Sequence, residues 1–530
     1  MPDAVVIGSG PNGLVAANML ADRGWSVTVL EAAPEPGGAV RSAELIEPGF
    51  VNDMFSAFYP FAFVSPAITT LNLDDYGLQW RRAPLVLAHP ASDGTCPVLS
   101  TDLDETVASL DACHPGDGAA WRRLHERWQR LRDPLIAALF TPTPPITASA
   151  RLAVNAWSDG WTRTARFALL SVRRMGEEEF GSDAARRLLA GSALHADLSP
   201  EAVLGGFFAW VLCGLGQDVG WPVPEGGAGQ LTAALVARLR ARGGDVVCNS
   251  RVERIVVRDR RAVAVRTAAG EIDATRAVLA DVGAPSLYLD LVGAEHLSAM
   301  VVDDLGRFAW DNATVKVDWN LDQPIPWKSE AARRAGTLHL ADSVDALTKS
   351  TAEMARGLVP ETPFLIMGQQ SMTDPTRMPP GKETVWAYSH VPREIRGDAA
   401  GELTNFSDRA ELDRAGLEAF ADRMQDEVEK LAPGFISTVR GRHVMGPGDL
   451  ESHNANLVGG AIGAGTSQLY QQLVFRPVPG LGRPETPIRS LYLASASAHP
   501  GGGVHGACGA NAARVAIGHD RVRRAVSRFT

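Results

Sequence analysis

The sequence predicts an α/β fold in which two domains are each assembled from separated stretches of the chain. Strand and helix patterns alternate at the N-terminus, a mainly helical stretch follows from about residue 105 to 210, and the alternation returns from Gly226 onward. Alternating strands and helices are typical of a parallel sheet with helices on its faces. With 530 residues, the chain can enclose two large cores.

The N-terminal unit, residues 3–31, reads as strand, helix and strand. The segment DAVVI is a short buried strand, and the spacing of Leu14, Val15 and Met19 predicts a helix from Asn12 to Arg23. Gly24 ends that helix, and the β-branched segment WSVTVLE follows as the second strand. Two strands joined through a helix should lie parallel in one sheet.

Later elements repeat the same alternation. A helix carrying Leu231, Leu235 and Leu239 is followed by the strand patterns DVVCN, RIVVRD, AVAVRTA and AVLAD. An amphipathic helix is predicted from Asp413 to Ala432, and the C-terminal segment from Ser490 onward reads as strand, glycine loop and helix. Separated stretches of one pattern favour interleaved domains.

Composition excludes several functional classes. A net charge of -10 disfavours nucleic-acid binding, because neutralising phosphates requires a basic face. The five cysteines are scattered and never spaced CxxC, which argues against a disulfide framework, a zinc ribbon or a dithiol pair, and no metal site is predicted. No signal peptide or membrane-spanning segment is visible, so a cytoplasmic location is expected.

A dinucleotide fingerprint occupies the first strand–helix turn. GSGPNG supplies Gly8, Gly10 and Gly13, and an acidic residue, Glu31, ends the second strand. The glycines permit a tight turn, close approach of a pyrophosphate and tight helix–strand packing, while the acidic side chain accepts ribose hydroxyls. This context predicts a Rossmann-like domain that binds a dinucleotide, with Pro11, Asn12 and Ala32 also in contact with it.

Two further loops distinguish FAD from NAD. The segment PEPGGAVRS places Gly37, Gly38 and Arg41 just beyond the fingerprint, and NAD sites do not need such a loop. A second glycine pattern, Gly501 to Gly506, lies between a strand and a helix without a following acidic residue. Its helix N-terminus is suited to stabilising the negative charge of a reduced flavin ring. FAD is therefore the predicted cofactor.

These motifs, together with WPVPEGGAGQL, VLADVGAP and ASAHPGGGVHGACGANAAR, give the chain a family resemblance. It resembles the phytoene-desaturase-like FAD-dependent oxidoreductases, and within them the branch named pyridine nucleotide-disulfide oxidoreductase domain-containing protein 2. The resemblance implies an FAD-binding domain from residues 1–60, 215–290 and 485–530, interleaved with a discontinuous α+β substrate domain from residues 61–214 and 291–484. It also implies cofactor contacts at Val252, Asp281, Gly502, Gly503 and Val504.

Candidate catalytic residues are few. His499 and His505 flank the glycine loop, and the pKa of an ordinary histidine suits proton transfer at neutral pH. A flavin accepts hydride itself, so the protein mainly positions the substrate and excludes water. The family resemblance then implies desaturation of a carbon–carbon bond in a hydrophobic, isoprenoid or polyene-like substrate, with oxygen or quinone as electron acceptor.

The sequence is also compatible with functions other than desaturation. A flavin-dependent isomerase or saturase of a lipophilic substrate, or a non-catalytic flavoprotein that binds partners, would carry the same motifs. The glycine-rich runs at residues 202–216 and 457–475 could line a substrate tunnel or simply pack in the core.

Residues 151–175 raise the question of membrane contact. They hold five arginines against one acidic residue, and Val154, Trp157, Trp161 and Val172 fall on one face of a predicted helix. A basic helix with an aromatic face is typical of peripheral membrane binding. The same stripe would also suit docking on the domain core.

Overall fold

A computed structural model describes residues 1–142, 144–156, 160–404, 406–407 and 410–526 of the chain. Within these residues the strands, numbered in chain order, are β1 (Ala4–Ile7), β2 (Val27–Leu30), β3 (Ser42–Ala43), β4 (Asn52–Asp53), β5 (Trp80–Arg81), β6 (Leu85–Ala88), β7 (Val98–Leu99), β8 (Val223–Pro224), β9 (Asp245–Val247), β10 (Val252–Arg258), β11 (Arg261–Thr267), β12 (Gly270–Asp273), β13 (Ala277–Ala280), β14 (Ala313–Leu321), β15 (Ala335–Leu340), β16 (Leu358–Val359), β17 (Leu365–Gln369), β18 (Glu383–Val391), β19 (Gly397–Asp398), β20 (Val439–Met445) and β21 (Leu491–Leu493).

The α-helices of the same residues are α1 (Pro11–Ala21), α2 (Pro60–Val64), α3 (Pro66–Thr69), α4 (Leu103–Cys113), α5 (Asp117–Leu139), α6 (Ile146–Asn155), α7 (Trp161–Leu169), α8 (Val172–Glu179), α9 (Asp183–Ala193), α10 (Gly205–Val219), α11 (Gly229–Ala241), α12 (Ala299–Gly306), α13 (Glu330–Arg334), α14 (Val344–Ala355), α15 (Gln370–Thr373), α16 (Arg414–Leu431), α17 (Phe435–Thr438), α18 (Pro447–His453) and α19 (Ala507–Val526).

The first sheet is parallel and has the strand order β21-β13-β1-β2-β9. Helix α1 packs against both α11 and α19 beside it, with Leu14, Val15, Leu231 and Leu235 in the shared core. All five strands come from the three segments that the sequence assigns to the cofactor domain. The α/β architecture with a Rossmann-like core is thus confirmed, and the domain boundaries stay a prediction.

The second sheet is mostly antiparallel, with the order β20-β14-β18-β17-β15-β6-β7. Strand β14 is buried along its whole length, because α16 covers one face of the sheet with Phe420, Met424 and Val428. Every strand of this sheet comes from residues 61–214 or 291–484. The opposite face of the sheet points toward the helical layer formed by α4 to α10.

The glycine-rich run at residues 202–216 is a packing device for that helical layer. A Cβ atom at Gly214 would lie 2.4 Å from Cδ2 of Trp128, and one at Gly216 would lie 2.6 Å from Cδ2 of Leu99. Both contacts are closer than real Cβ atoms approach carbon. The missing side chains therefore let α10 approach α5 and β7, and they leave no open tunnel at these two positions.

The expectation of one continuous helix over residues 151–175 is wrong. The segment contributes to α6, α7 and α8, and Ser171 begins α8 by accepting a hydrogen bond from the N–H of Arg174. Phe167 and Val172 are buried, whereas Trp161 is 74 % exposed. Trp157 and Asp159 lie outside the described residues. No helix in the described parts of the chain is long and apolar enough to cross a membrane.

A buried cluster of charged side chains connects the domain of the first sheet with the domain of the second sheet. Arg377, with a fully buried side chain, donates to Asp53 at 2.5 Å, to Asp374 at 3.2 Å and to the carbonyl of Pro224 at 3.2 Å. Asp53 also accepts from Ser42 and from the N–H of Ala228. The cluster connects residues 42–53, 224–228 and 374–377, which border the candidate site.

Candidate functional site

A single cavity of about 1000 Å³ runs from the first sheet to the face of the second sheet that points toward the helical layer. It begins at the carboxyl ends of β1 and β2, where open α/β sheets bind ligands. The predicted cofactor residues that line it are Gly8, Gly10, Pro11, Asn12, Glu31, Ala32, Gly38, Arg41, Val252, Asp281, Gly502, Gly503 and Val504. The fold thus brings together positions up to 500 residues apart.

The fingerprint glycines shape the dinucleotide end of this cavity. Gly8 has a φ of +90°, and a Cβ at Gly13 would lie 2.2 Å from the carbonyl oxygen of Gly8. Gly10 precedes α1, whose first residue, Pro11, has no N–H; the donors of the first turn beside this space are the N–H groups of Asn12 and of Gly13, and the second of these bonds to Asp281. Backbone donors at a helix N-terminus are the preferred partners of a pyrophosphate.

Glu31 ends β2 with its carboxylate already oriented. One oxygen accepts from the N–H and the hydroxyl of Ser9 at 2.8 and 2.6 Å, and the other accepts from the N–H of Ala33 at 2.8 Å. A carboxylate has about four acceptor positions, so one stays available at the cavity wall. A ribose hydroxyl could occupy that position.

Asp281 ends β13 directly beneath the fingerprint. Its Oδ2 accepts from the N–H of Gly13 at 2.8 Å, and a Cβ at Gly10 would lie 2.7 Å from the same oxygen. Burial raises the pKa of Asp281 to about 7, because desolvation outweighs the hydrogen bond from Gly13. The side chain thus satisfies one free donor of α1 from a position 268 residues away.

The second glycine loop packs across the fingerprint. Gly37 has a φ of +123° and does not line the cavity; its N–H donates to Ser9. A Cβ at Gly38 would lie 3.1 Å from Cα of Gly10. Arg41, which is buried, donates to the carbonyls of Gly38 and His453 at 3.0 and 2.8 Å and so fixes this loop against the second domain.

The C-terminal glycine loop forms the middle of the cavity. Gly501 and Gly503 have φ values of +112° and +113°, and α19 begins four residues later at Ala507. His505 uses both ring nitrogens within this turn: Nδ1 accepts from the N–H of Ala507 at 3.0 Å, and Nε2 lies 3.2 Å from the carbonyl of Gly501. These bonds favour a structural role for His505 over proton transfer.

His499, the other histidine proposed from the sequence, is buried and is not among the residues that line the cavity. Burial lowers the pKa values of both histidines, that of His505 to about 4, so both rings are neutral at pH 7. Neither ring is oriented by a carboxylate in the described structure. Their catalytic assignment stays a prediction that the geometry does not favour.

The far wall of the cavity is the face of the second sheet that α16 does not cover. Trp386, Tyr388 and His390 alternate along β18, with the first two rings stacked at 5.9 Å and the last two edge-to-face at 5.6 Å. Thr314 and Lys316 stand beside them on β14. The opposite wall includes apolar side chains from the helical layer, namely Phe208, Leu212 and Trp221.

His195 lines the same wall and pairs with His339 behind it, and no sequence motif marks this pair. Nε2 of His195, on the short 3-10 helix Leu194–Ala196, is 2.7 Å from Nε2 of His339 on β15. Burial lowers the pKa of His195 to about 3, so its ring is neutral at pH 7. The 2.7 Å separation is that of a hydrogen bond between the two nitrogens, and Nδ1 of His195 has no hydrogen-bond partner within the described chain.

Two carboxylates complete the polar part of the wall. Asp197 adopts a left-handed backbone with a φ of +53° and accepts from the N–H and the side-chain amide of Asn312 at 2.8 and 3.0 Å. Burial, with Asp197 nearby, raises the pKa of Asp311 to about 7. The wall is therefore amphipathic.

Comparison with known proteins agrees with this geometry. The family model described as flavin containing amine oxidoreductase matches residues 12–288. The chain belongs to the flavin-containing amine oxidoreductase family. FAD is accordingly its cofactor, and the protein is an FAD-dependent oxidoreductase. The glycine cradle, the oriented carboxylate of Glu31 and the helix N-terminus fit such a dinucleotide.

Relatives in the family extend over nearly the whole chain. Pyridine nucleotide-disulfide oxidoreductase domain-containing protein 2 of Mus musculus is 30% identical over 97% of this chain and 93% of its own length. Phytoene desaturase (lycopene-forming) of Pseudescherichia vulneris is 25% identical over 96% of both chains. A crystal structure of an oxidoreductase from Methanosarcina mazei shares the fold, with a TM-score of 0.62 at 16% identity over 97% of this chain and 99% of that one.

Proposed function

We propose that this flavoenzyme dehydrogenates a carbon–carbon bond of a largely hydrophobic substrate that also carries a polar group. The proposal rests on one observation: a single cavity joins the dinucleotide fingerprint, the Gly502 to Val504 loop and the amphipathic wall of the second sheet. A substrate between that loop and that wall would meet apolar side chains on one side and hydrogen-bonding groups on the other.

The cofactor site proposed here follows the cavity. Glu31 and Val252 would hold the adenosine end, the N-terminus of α1 the pyrophosphate, and the loop at Gly502 and Gly503 the flavin ring. Bound FAD supplies the two-electron acceptor for a hydride. The chain's own residues then have to orient the substrate, exclude water and accept a proton.

His195 is the proposed proton acceptor; because its pKa of about 3 makes the ring a weak base, it would take the proton only as the hydride leaves the neighbouring carbon. Its ring is neutral, its Nδ1 has no partner in the described chain, and its Nε2 is held by His339. An orienting hydrogen bond on one nitrogen leaves the other positioned for transfer. The hydroxyl of Tyr388, which lines the same cavity, would donate a hydrogen bond to the polar group of the substrate. Burial and the nearby Asp197 raise the pKa of Tyr388, so it stays protonated.

A second candidate function is amine oxidation. Asp197 and Asp311 place carboxylates beside Trp386 and Tyr388, and carboxylates with aromatic faces attract ammonium groups. The name of the matching family points the same way. The partial protonation of Asp311 at pH 7 weakens that attraction, so we rank this candidate second.

Peripheral membrane contact is a further part of the proposal. Ile146 and Trp161 are 75 % and 74 % exposed, Leu169 is half exposed, and Arg151 and Arg163 accompany them on α6 and α7. Leu139, at the end of the helix that precedes α6, lines the cavity. A lipophilic substrate could therefore enter from a membrane surface on this side.

Anaerobic mixing tests the reaction. The holoenzyme is mixed with lipophilic polyenes with and without a hydroxyl or carbonyl group, and in parallel with amines and amino acids. Bleaching of the flavin absorbance by the polar polyenes supports the first function, and bleaching by amines alone replaces it with the second. Product without bleaching and without an added acceptor would instead identify an isomerase.

The role of His195 is tested by comparing the bleaching rates of two histidine variants. His195→Asn should slow bleaching by the active compound at least tenfold while the FAD content stays unchanged. His114→Asn is the matched control, because His114 lies at the exposed end of α4. Equal rates for both variants would remove His195 from the mechanism.

A further inference from the structure

Arg476 is a buried cation without a carboxylate partner. Its side chain is fully buried, and it donates to the carbonyls of Ala496 at 2.8 and 3.0 Å, of Thr466 at 2.9 Å and of Gly463 at 2.9 Å. Within the described residues no carboxylate oxygen lies within 4.0 Å of the guanidinium. All of its close partners are neutral, so the positive charge is hydrogen-bonded but not cancelled.

The cation lies directly behind the glycine loop. A Cβ at Gly501 would be 3.3 Å from Cζ of Arg476, and the next two residues, Gly502 and Gly503, line the cavity. The N-terminus of α19 approaches the same loop from Ala507. A fixed cation and the positive end of a 20-residue helix therefore face the same part of the cavity.

Other ionisable groups around Arg476 are mostly uncharged. His499 and His505 are neutral at pH 7, and burial raises the pKa of the Cys508 thiol to about 12. Asp311 is the acidic group that opposes the cation, and its pKa of about 7 leaves it partly protonated. Arg476 and the N-terminus of α19 thus place positive charge at the loop, opposed by a partly ionised Asp311.

We propose that Arg476 raises the reduction potential of the bound flavin by stabilising the negative charge of its reduced form through the Gly501 to Gly503 loop. The inference rests on the proposed placement of the flavin ring against this loop. Preorganised charge in a site without water acts strongly on charge that develops there. Arg476 does not line the cavity, so it would act through its electric field as a positioning residue.

The midpoint potential of the holoenzyme tests the proposal without any substrate. Arg476→Gln should shift the equilibrium between oxidised and reduced flavin at least tenfold toward the oxidised form, which for a two-electron couple is about 30 mV. Arg476→Lys should stay within threefold of the wild type, because it keeps the charge but loses most of the hydrogen bonds. If Arg476 only holds the loops together, the two variants should behave alike.

Asp311→Asn provides an independent measurement of the midpoint potential, with an expected shift in the opposite direction. Removing the opposing carboxylate should shift the equilibrium between oxidised and reduced flavin at least threefold toward the reduced form. If Arg476→Gln does not retain FAD, this measurement takes its place as the test of the proposal. Arg187→Gln is the control for loss of a buried arginine elsewhere, since Arg187 is equally buried but does not line the cavity and contacts Thr95, the carbonyl of Asp342 and the carboxylates of Asp93 and Asp183.

The outcomes separate the inference from the proposed function. An unchanged potential in flavin-bound Arg476→Gln, or in Asp311→Asn when the first variant is unbound, overturns the role of Arg476 whatever the substrate is. A potential that shifts as expected supports it even if none of the test compounds bleaches the flavin. A shift of similar size in Arg187→Gln would show a non-specific effect and would also overturn the proposal.

Discussion

Replacing Gly214 by Ala tests whether the glycine-rich helix α10 is a packing device. The new Cβ would lie 2.4 Å from Cδ2 of Trp128. That ring cannot move aside freely, because its Nε1 donates to Asp218 at 2.6 Å and its face meets Trp210 edge-on at 5.5 Å. Overpacking should therefore cost about 3 kcal/mol, the upper end of the usual range.

Helix propensity offsets part of this cost. Exchanging Gly for Ala inside a helix gains about 1 kcal/mol, so the net loss for Gly214→Ala is about 2 kcal/mol. Gly518→Ala in α19 is the matched control, because a Cβ there meets nothing within 4 Å. That variant should gain about 1 kcal/mol.

Thermal unfolding followed by calorimetry measures both variants. For 530 residues unfolding as one unit, the unfolding entropy is about 1.1 kcal/mol/K. Gly214→Ala should then melt about 2 °C lower than the wild type and Gly518→Ala about 1 °C higher. If Gly214→Ala instead raises the melting temperature as much as the control does, α10 has open space at this position and the packing argument fails.

Four other changes have defined outcomes. Arg377→Met leaves two carboxylates buried without their cation, so chemical denaturation should show a free energy of unfolding lower by about 3–5 kcal/mol. A decrease of less than about 1 kcal/mol would contradict the stabilising role of the ion cluster. Gly503→Ala forces a side chain into a φ of +113° and should lower the ratio of flavin to protein absorbance, so unchanged occupancy would reject the proposed flavin loop. Burial raises the pKa of Asp281 to about 7, above its unfolded value, so the free energy of unfolding of the flavin-free protein falls as pH rises from about 4 to about 7. Asp281→Asn should therefore increase the free energy of unfolding more at pH 8 than at pH 5, and an equal increase at both pH values would refute this. Trp161→Ala should reduce flotation with anionic vesicles, whereas a wild type that does not float at low salt would end the membrane proposal.

The dinucleotide end of the site could be predicted from the sequence because its signals are local. Gly8, Gly10 and Gly13 form one turn between a strand and a helix, and Glu31 ends the strand that follows directly. The backbone requirements of such a turn are met by neighbours in the chain, so a short motif specifies them. The helix from Arg414 to Leu431 was equally predictable, since its periodic apolar face needs only one surface to pack on.

Other features depended on which segments meet in space. His195 and His339 are 144 residues apart, and nothing near either residue indicates that their rings touch. The same holds for Arg476, whose partners are backbone carbonyls that any sequence would provide. Tertiary structure also decided the role of Gly214, because a glycine in a helix is compatible with open space or with a tryptophan 2.4 Å away. The sequence by itself determined the cofactor class through local backbone geometry, whereas the far wall of the cavity and its charges were decided only when strands from distant segments paired into one sheet.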